Sequence, residues 1–283
     1  MRHIPGGDEG VPDDPGRGDI LVPHGRRPYV RKLADRLENL RVVQTLSAGV
    51  DHYLELVPPG VTMCDARGVH DVPVAEWCVA AILAMQRDLP RYVRQQEQAE
   101  WRPDEQPAAE VNGMEVLVVG HGSIGEATAH RLRAFGATVR GVARHGREGV
   151  HTVDELPQLL PSADAVIVLV PLTDSTRHMV DAQFIARMKP GALLVNAGRG
   201  PTVDMAALTE AVQQGRVRAA LDVTDPEPLP AEHPLWREAG ALITPHVAGS
   251  STAFLERAWR FVGEQCRRYL DGEPLRNVVS EGY

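Results

Sequence analysis

The sequence predicts an α/β fold built on a doubly wound parallel sheet, and three features carry that reading. Val116 to Val119 form a short apolar run that leads into G-x-G-x-x-G at Gly120, Gly122 and Gly125, then into an amphipathic segment, Ser123 to Phe135. From Glu115 onward, apolar runs of strand length alternate with helical stretches. Those runs, such as DAVIVLV at 164–170, are near-continuously apolar, as expected of strands covered by helices on both faces.

The glycine-rich stretch reads as strand, tight turn, helix. A glycine at the first position lets the backbone turn, one at the second lets a pyrophosphate approach the main chain, and the third lets helix and strand pack closely. The helix start, at Ser123, Ile124 and Gly125, then presents unpaired N–H groups and a positive dipole end to the phosphates. An ordinary glycine-rich βα turn has the same spacing. The apolar strand before it, the helix after it and Gly136 as a helix stop favour the dinucleotide site.

Composition narrows the partners. At 283 residues the chain has room for one large domain or two ordinary ones, and 43% hydrophobic residues can fill sizeable cores. A net charge of −8, from 38 acidic against 30 basic residues, argues against a nucleic-acid surface and supplies no basic helix for a membrane. A small-molecule partner is expected. Cys64, Cys78 and Cys266 are far apart in sequence, so neither a disulfide framework nor a metal site is expected. MRHIPGGDEGVPDD lacks the apolar centre of a signal peptide, and no apolar run approaches ~18 residues, which points to a cytoplasmic protein.

In chain order, residues 1–19 are rich in Gly, Pro and Asp and should be loose or extended. Ile20 to Pro23 is a short strand candidate, and Val30, Leu33, Leu37 and Leu40 mark a helix with one buried stripe. Arg41 to Leu46 reads as a strand ending in SAGVDH, where small residues at a strand's carboxyl edge can offer N–H groups to an anion, or simply turn. Val61 to Asp65 is a further strand, and Val72 to Leu89 a helix whose face of Val74, Trp77, Cys78, Ala81, Ile82 and Met85 is apolar enough for burial. Residues 86–110 are polar, with Tyr92 and Trp101 isolated among charges, as in an arm that reaches onto a second subunit.

Strands are then expected at 138–143, 164–170, 192–196, 217–223 and 241–244. Helices are expected at 154–160, 181–188, 204–214 and 252–270, with a short tail at the end. In a doubly wound sheet, ligands bind beyond the carboxyl ends of the strands. That rule singles out Arg199, Asp222, Glu227 and His246. Hydride reduction of a ketone needs a proton donor, which a histidine supplies near neutral pH, and a neighbouring carboxylate favours its imidazolium. An arginine fork matches a substrate carboxylate. Taken singly, Arg199 also fits a surface turn, Glu227 a solvated loop and His246 a structural histidine; their joint placement at strand ends favours a site.

GHGSIG, VPLTDSTRHMV, LLVNAGRGPTVD, ALDVTDPEPLPAEHPLW and ITPHVAGS, in that order, resemble the D-isomer-specific 2-hydroxyacid dehydrogenase family, from about Val43 to the C-terminus. The resemblance implies two similar Rossmann-like or flavodoxin-like domains with the active site in the cleft between them. One would comprise residues 1–76 with 255–283 and bind substrate; the other, 77–254, would bind the dinucleotide. It implies that Arg199 binds the substrate carboxylate and that Glu227 pairs with His246, the general acid in reduction and base in oxidation. Asp222 would hold the nicotinamide carboxamide, Pro171 and Thr176 would meet the cofactor, and the backbone N–H groups of Ala48 and Gly49 would be second contacts for the substrate carboxylate. A homodimer through the 86–110 arm is implied as well.

Two departures stand out. The acidic residue expected about 20 residues past the glycines, which would bind a ribose 2′-hydroxyl, is absent. Arg144, His145 and Arg147 stand there instead, so NADP(H) is expected over NAD(H), although a charged loop that tolerates NAD fits too. The family's usual first strand and helix are also not found in residues 1–19. The expected activity is that of a 2-oxoacid reductase of the glyoxylate or hydroxypyruvate type. Phosphite or formate oxidation on the same scaffold and a non-catalytic, corepressor-like nucleotide sensor are the alternatives. A 3-phosphoglycerate dehydrogenase ranks lower, because no regulatory domain follows Tyr283 in the sequence.

Overall fold

The computed structural model describes residues 16–23, 27–51, 53–102 and 107–279. The loose segment expected at the N-terminus lies outside these as far as residue 15, as do part of the 86–110 arm and the last four residues. The chain divides into two compact units, one made of the residues up to His70 with those from Ser251 onward, the other of Asp71–Ser250.

In the smaller unit, β1 (Ile20–Leu21), β2 (Val42–Gln44) and β3 (Thr62–Cys64) form a parallel sheet in the order β1-β2-β3. Its core gathers Leu21, Val30, Leu33, Leu37, Leu40, Val43 and Met63. The helix expected as far as Leu40 is shorter: α1 spans Arg27–Ala34. From Arg36 on, the backbone closes i→i−3 turns (Arg36 N to Leu33 O, Leu37 N to Ala34 O, Leu40 N to Leu37 O), and this three-residue spacing still delivers Leu37 and Leu40 to the core.

The C-terminal helix Phe254–Leu270 buries Ala258, Phe261 and Val262 against Leu46, Ala66 and Val69. Gln265, on the same face, is buried and fully engaged. Its Nε2 donates to Gln44 Oε1 and to the Arg276 carbonyl, both at 2.9 Å, while its Oε1 accepts from Arg276 N at 3.0 Å. A buried amide satisfied in this way stabilises one arrangement, because any slip would leave polar atoms dry and unpaired.

The larger unit opens with α2 (Asp71–Gln86) and α3 (Leu89–Glu97). The single helix expected over 72–89 ends at Gln86, because Asp88 takes a left-handed φ of 51° and Pro90, lacking an N–H, fits only the first turn of a new helix. There follow β4 (Glu115–Val119), α4 (Ser123–Ala134), β5 (Thr138–Ala143), β6 (Val150–Thr152), α5 (Leu156–Leu159) and β7 (Ala165–Val168). Then come α6 (Ala182–Arg187), β8 (Leu193–Asn196), α7 (Met205–Gln213), β9 (Arg218–Leu221) and β10 (Ala241–Ile243). The expected 154–160 helix is broken: a 3₁₀ turn, Val153–Glu155, precedes α5, which has Pro157 in its first turn, and a second, Leu160–Ser162, with Pro161 at its start, follows it.

All seven strands are parallel, in the order β10-β9-β8-β7-β4-β5-β6. Sequence order reverses between β4 and β7, the topological switch point of a doubly wound sheet. The edge strand β6 has no counterpart among the expected elements: VHT is too short to show a period, and it pairs only because a turn at Arg147–Val150 folds it back beside β5. Both faces are covered. One core packs Leu117, Val119, Val166 and Leu194 against α6 and α7; the other packs Val116, Val118, Ile167 and Leu193 against α2 and α4. Each large apolar side chain buried this way contributes about 1.5–3 kcal/mol. Among the described residues, no helix is long and apolar enough to cross a membrane.

Helix starts follow their capping residues. Asp181 accepts from Phe184 N at 2.8 Å, and Asp204 accepts from Ala206 N and Ala207 N at 3.0 and 3.1 Å. Asp204→Ala strips α7 of its cap and should cost about 1 kcal/mol. That loss is expected to lower the thermal midpoint of unfolding by roughly 2–4 °C; an unchanged midpoint would show that the cap contributes nothing.

Candidate functional site

The expected site residues of the larger unit lie at the carboxyl edge of its sheet. Gly120 follows β4 with φ +99°, and a Cβ there would come within 2.6 Å of the Leu169 backbone, so the close approach of neighbouring chain demands glycine. A Cβ at Gly125 would meet the Gly120 carbonyl at 2.7 Å, which is the helix-to-strand packing contact. At Gly122 a Cβ would meet nothing within 4 Å. The first and third glycines are therefore fixed by internal packing, while the second leaves an open face. Gly122 is also the N-cap of α4 and supplies no side-chain cap, so the first-turn N–H groups of Ser123, Ile124 and Gly125 are those that a helix cannot satisfy internally. Open face and uncapped dipole end together fit a pyrophosphate. Ser123 Oγ donates to Asp71 Oδ1 at 3.0 Å, which ties the phosphate helix to the start of α2.

Arg144, His145 and Arg147 are exposed in the turn between β5 and β6. Arg147 reaches back to the glycine turn, its Nη2 donating to the His121 carbonyl at 2.8 Å. After β7, Thr176 Oγ1 donates to the Pro171 carbonyl at 2.6 Å and accepts from Thr173 N at 2.8 Å, so the two residues assigned to the cofactor brace one loop.

Arg199 follows β8. The fully buried Asn196 side chain staples its turn, accepting from Gly198 N and donating to the Arg199 carbonyl, both at 3.1 Å, while Thr202 Oγ1 donates to the same carbonyl at 2.6 Å. Arg199 Nη1 donates to the Gly198 carbonyl at 2.8 Å, which tethers one end of the guanidinium. Any side chain at Gly200 would collide with the Thr224 carbonyl, so the arginine turn presses directly on the backbone that leads to Glu227.

His246 and Glu227, 19 residues apart, come together: His246 Nδ1 lies 2.5 Å from Glu227 Oε1. Their side chains are 50% and 43% exposed, so the pair is open to solvent. His246 takes a left-handed φ of 54°, a conformation that costs a non-glycine residue about 1–3 kcal/mol and persists where surroundings impose it. Asp222 imposes it here. His246 N donates to the Asp222 carbonyl at 2.8 Å. The buried Asp222 carboxylate accepts from Thr244 Oγ1 at 2.5 Å, Val247 N at 2.9 Å and Ala248 N at 2.8 Å. With Nδ1 engaged by Glu227, Nε2 is the ring nitrogen left to exchange a proton with a substrate.

In the smaller unit, Ala48 and Gly49 sit in a turn braced from within. Thr45 Oγ1 donates to the Ser47 carbonyl at 2.7 Å, and Ser47 Oγ to the Gly49 carbonyl at 3.0 Å. Sequence reasoning missed Asp71, His121, Asn196 and Thr244, which hold the expected residues in place. Only Asn196 gave a signal, as a polar residue closing an apolar strand.

This chain matches the model of the D-isomer specific 2-hydroxyacid dehydrogenase NAD binding domain over residues 79–248. It is 34% identical to a glyoxylate reductase of Thermofilum pendens over 88% of this chain and 78% of that protein. Identity to a D-3-phosphoglycerate dehydrogenase of Methanocaldococcus jannaschii is 32%, over 93% of this chain and 52% of the relative, so the chain spans about half the length of that protein. Among solved structures, a D-isomer specific 2-hydroxyacid dehydrogenase from Xanthobacter autotrophicus Py2 in complex with NADPH and MES superposes with a TM-score of 0.83 at 33% identity, covering 98% of this chain and 89% of that one. An NADPH-dependent glyoxylate/hydroxypyruvate reductase from Sinorhizobium meliloti in complex with NADP and sulfate gives 0.81 at 31% identity, covering 93% and 84%. By these matches the chain belongs to the D-isomer specific 2-hydroxyacid dehydrogenase family.

Proposed function

We propose that the chain is an NADP(H)-preferring 2-hydroxyacid dehydrogenase that works as a 2-oxoacid reductase of the glyoxylate or hydroxypyruvate type, as a homodimer. The observation that carries the reading is the His246–Glu227 pair, 2.5 Å apart at the strand ends of a sheet whose glycine turn fits a dinucleotide. The names of the Thermofilum pendens and Sinorhizobium meliloti relatives support the substrate class, and NADPH or NADP in the two solved structures supports the cofactor. Phosphoglycerate dehydrogenases among the relatives favour a second reading, in which the 2-oxoacid carries a phosphate.

In this reading the N–H groups at the start of α4 hold the pyrophosphate, Arg144, His145 and Arg147 face the adenosine 2′-phosphate, and Pro171, Thr176 and Asp222 lie toward the nicotinamide. When bound, the cofactor supplies or takes up the hydride. Arg199, tethered through Nη1 to the Gly198 carbonyl, grips the substrate carboxylate in two parallel hydrogen bonds, aided by the N–H groups of Ala48 and Gly49. His246 Nε2 gives a proton to the carbonyl oxygen in reduction and takes it from the hydroxyl in oxidation. Glu227 orients the ring through Nδ1, and Asp222 holds the strained backbone that aims the ring.

His246→Gln is expected to lower kcat by about 10² or more while cofactor binding stays close to that of the unaltered protein; undiminished turnover would remove His246 from the acid–base role. Arg144→Asp should weaken NADPH more than NADH in direct binding titrations. An unchanged preference would mean that Arg144 does not read the 2′-phosphate.

A further inference from the structure

His121, the residue between the first two glycines of the turn, has no part in the reading above. It is 3% exposed. Its N–H shares the Val142 carbonyl with Gly120, both at 2.9 Å, and its ring lies so close on β5 that a Cβ at Gly141 would collide with ring carbon Cδ2. Two atoms of His121 face the same guanidinium nitrogen: the main-chain carbonyl at 2.8 Å and Nδ1 at 3.4 Å from Arg147 Nη2. Nε2 is shut off from solvent with no hydrogen-bond partner. Glu126 Oε2 also lies 3.5 Å from Nδ1, while among the described residues no salt bridge joins Arg147 itself to a carboxylate. Its guanidinium is therefore held by His121 and not paired directly with a carboxylate, which leaves it open to an anion.

We propose that His121 is a positioning residue for cofactor specificity, holding Arg147 at the rim of the glycine turn as the cation that takes the adenosine 2′-phosphate. The inference rests on the NADP(H)-preferring reading. An exposed arginine at a loop tip gives up rotamer freedom when it grips a phosphate, and one already held gives up less. For Nδ1 to accept from Arg147, the ring must be neutral with its proton on Nε2. Burial pushes the imidazole's pKa below its usual value; Glu126 on α4 draws it up, while Arg147 and Arg133 draw it down. A glycine at 141 is then part of the same device, since it makes room for the ring.

The test is calorimetric titration of NADPH and NADH, read as the ratio of the two Kd values, on His121→Phe, His121→Asn, Arg147→Ala and the double variant His121→Phe with Arg147→Ala. Phenylalanine keeps a ring over Gly141 and removes Nδ1; asparagine returns a polar atom near that place. His121→Phe should cut the preference for NADPH by about three- to tenfold, His121→Asn should recover part of it, and the double variant should lose no more than Arg147→Ala alone. If His121→Phe does not fold, His121→Leu carries the same expectation. Both Kd values rising together with the ratio unchanged would overturn the proposal by showing a purely structural role, as would effects that multiply in the double variant. If Arg147→Ala and Arg144→Asp both leave the ratio unmoved, the NADP(H) reading itself fails, and the proposal with it.

Discussion

Burial of the central strands on both faces is the constraint on which the larger unit depends. Val118, Val119, Ile167, Val168, Leu194, Val195, Ala220 and Leu221 are at 0% exposure, packed between α2 and α4 on one side and α6 and α7 on the other. A charge within that layer would lose its hydration without a partner. Polar chemistry is thereby confined to the ends of the strands, and because all seven run parallel, their carboxyl ends share one edge. The reversal of order between β4 and β7 opens a crevice at that edge, and there the glycine turn sits.

The few polar side chains admitted near the layer serve to shape that edge. Asn196 is fully buried, and its amide closes the turn that presents Arg199. Asp222 spends three hydrogen bonds on the Thr244–Ala248 segment and, through its carbonyl, holds His246 in a left-handed conformation. Leaving any such group unsatisfied would cost about 1–3 kcal/mol, so the turns are as firmly specified as the apolar core. The His246–Glu227 pair itself is exposed and adds little stability. Rigidity at this edge is supplied by its buried polar groups.

How much of this the sequence discloses follows from the range of the forces involved. Strand, glycine turn and helix are local signals, and the parallel α/β order from Glu115 to Ile243 is as the apolar rhythm predicts. The edge strand β6 escapes because three residues show no period, and the break at Asp88 escapes because the apolar stripe of α2 gives no warning of a left-handed residue. Of the residues proposed for the site, Arg199, Asp222, Glu227 and His246 lie after strands, where the sequence order puts them. Of the residues that hold them, only Asn196 leaves a sequence signal. Thr244 and Asp71 act across 22 and 52 positions of sequence, on Asp222 and Ser123 respectively, and His121 looks like an arbitrary residue between two glycines until β5 and the turn after it are folded beside it. The part assigned to Ala48 and Gly49 rests on the small residues that follow β2 and on family resemblance.

The central claim, that this edge performs hydride transfer on a 2-oxoacid with NADP(H), is tested most directly by the initial rate of NADPH and NADH oxidation followed at the nicotinamide absorbance. The substrates to compare are glyoxylate, hydroxypyruvate, 3-phosphohydroxypyruvate and a bulkier phenyl-substituted 2-oxoacid. The account predicts turnover, faster with NADPH than with NADH and fastest with glyoxylate or hydroxypyruvate. Tight cofactor binding without turnover of any of the four would contradict it and identify the chain as a nucleotide-binding protein that does not catalyse this reaction.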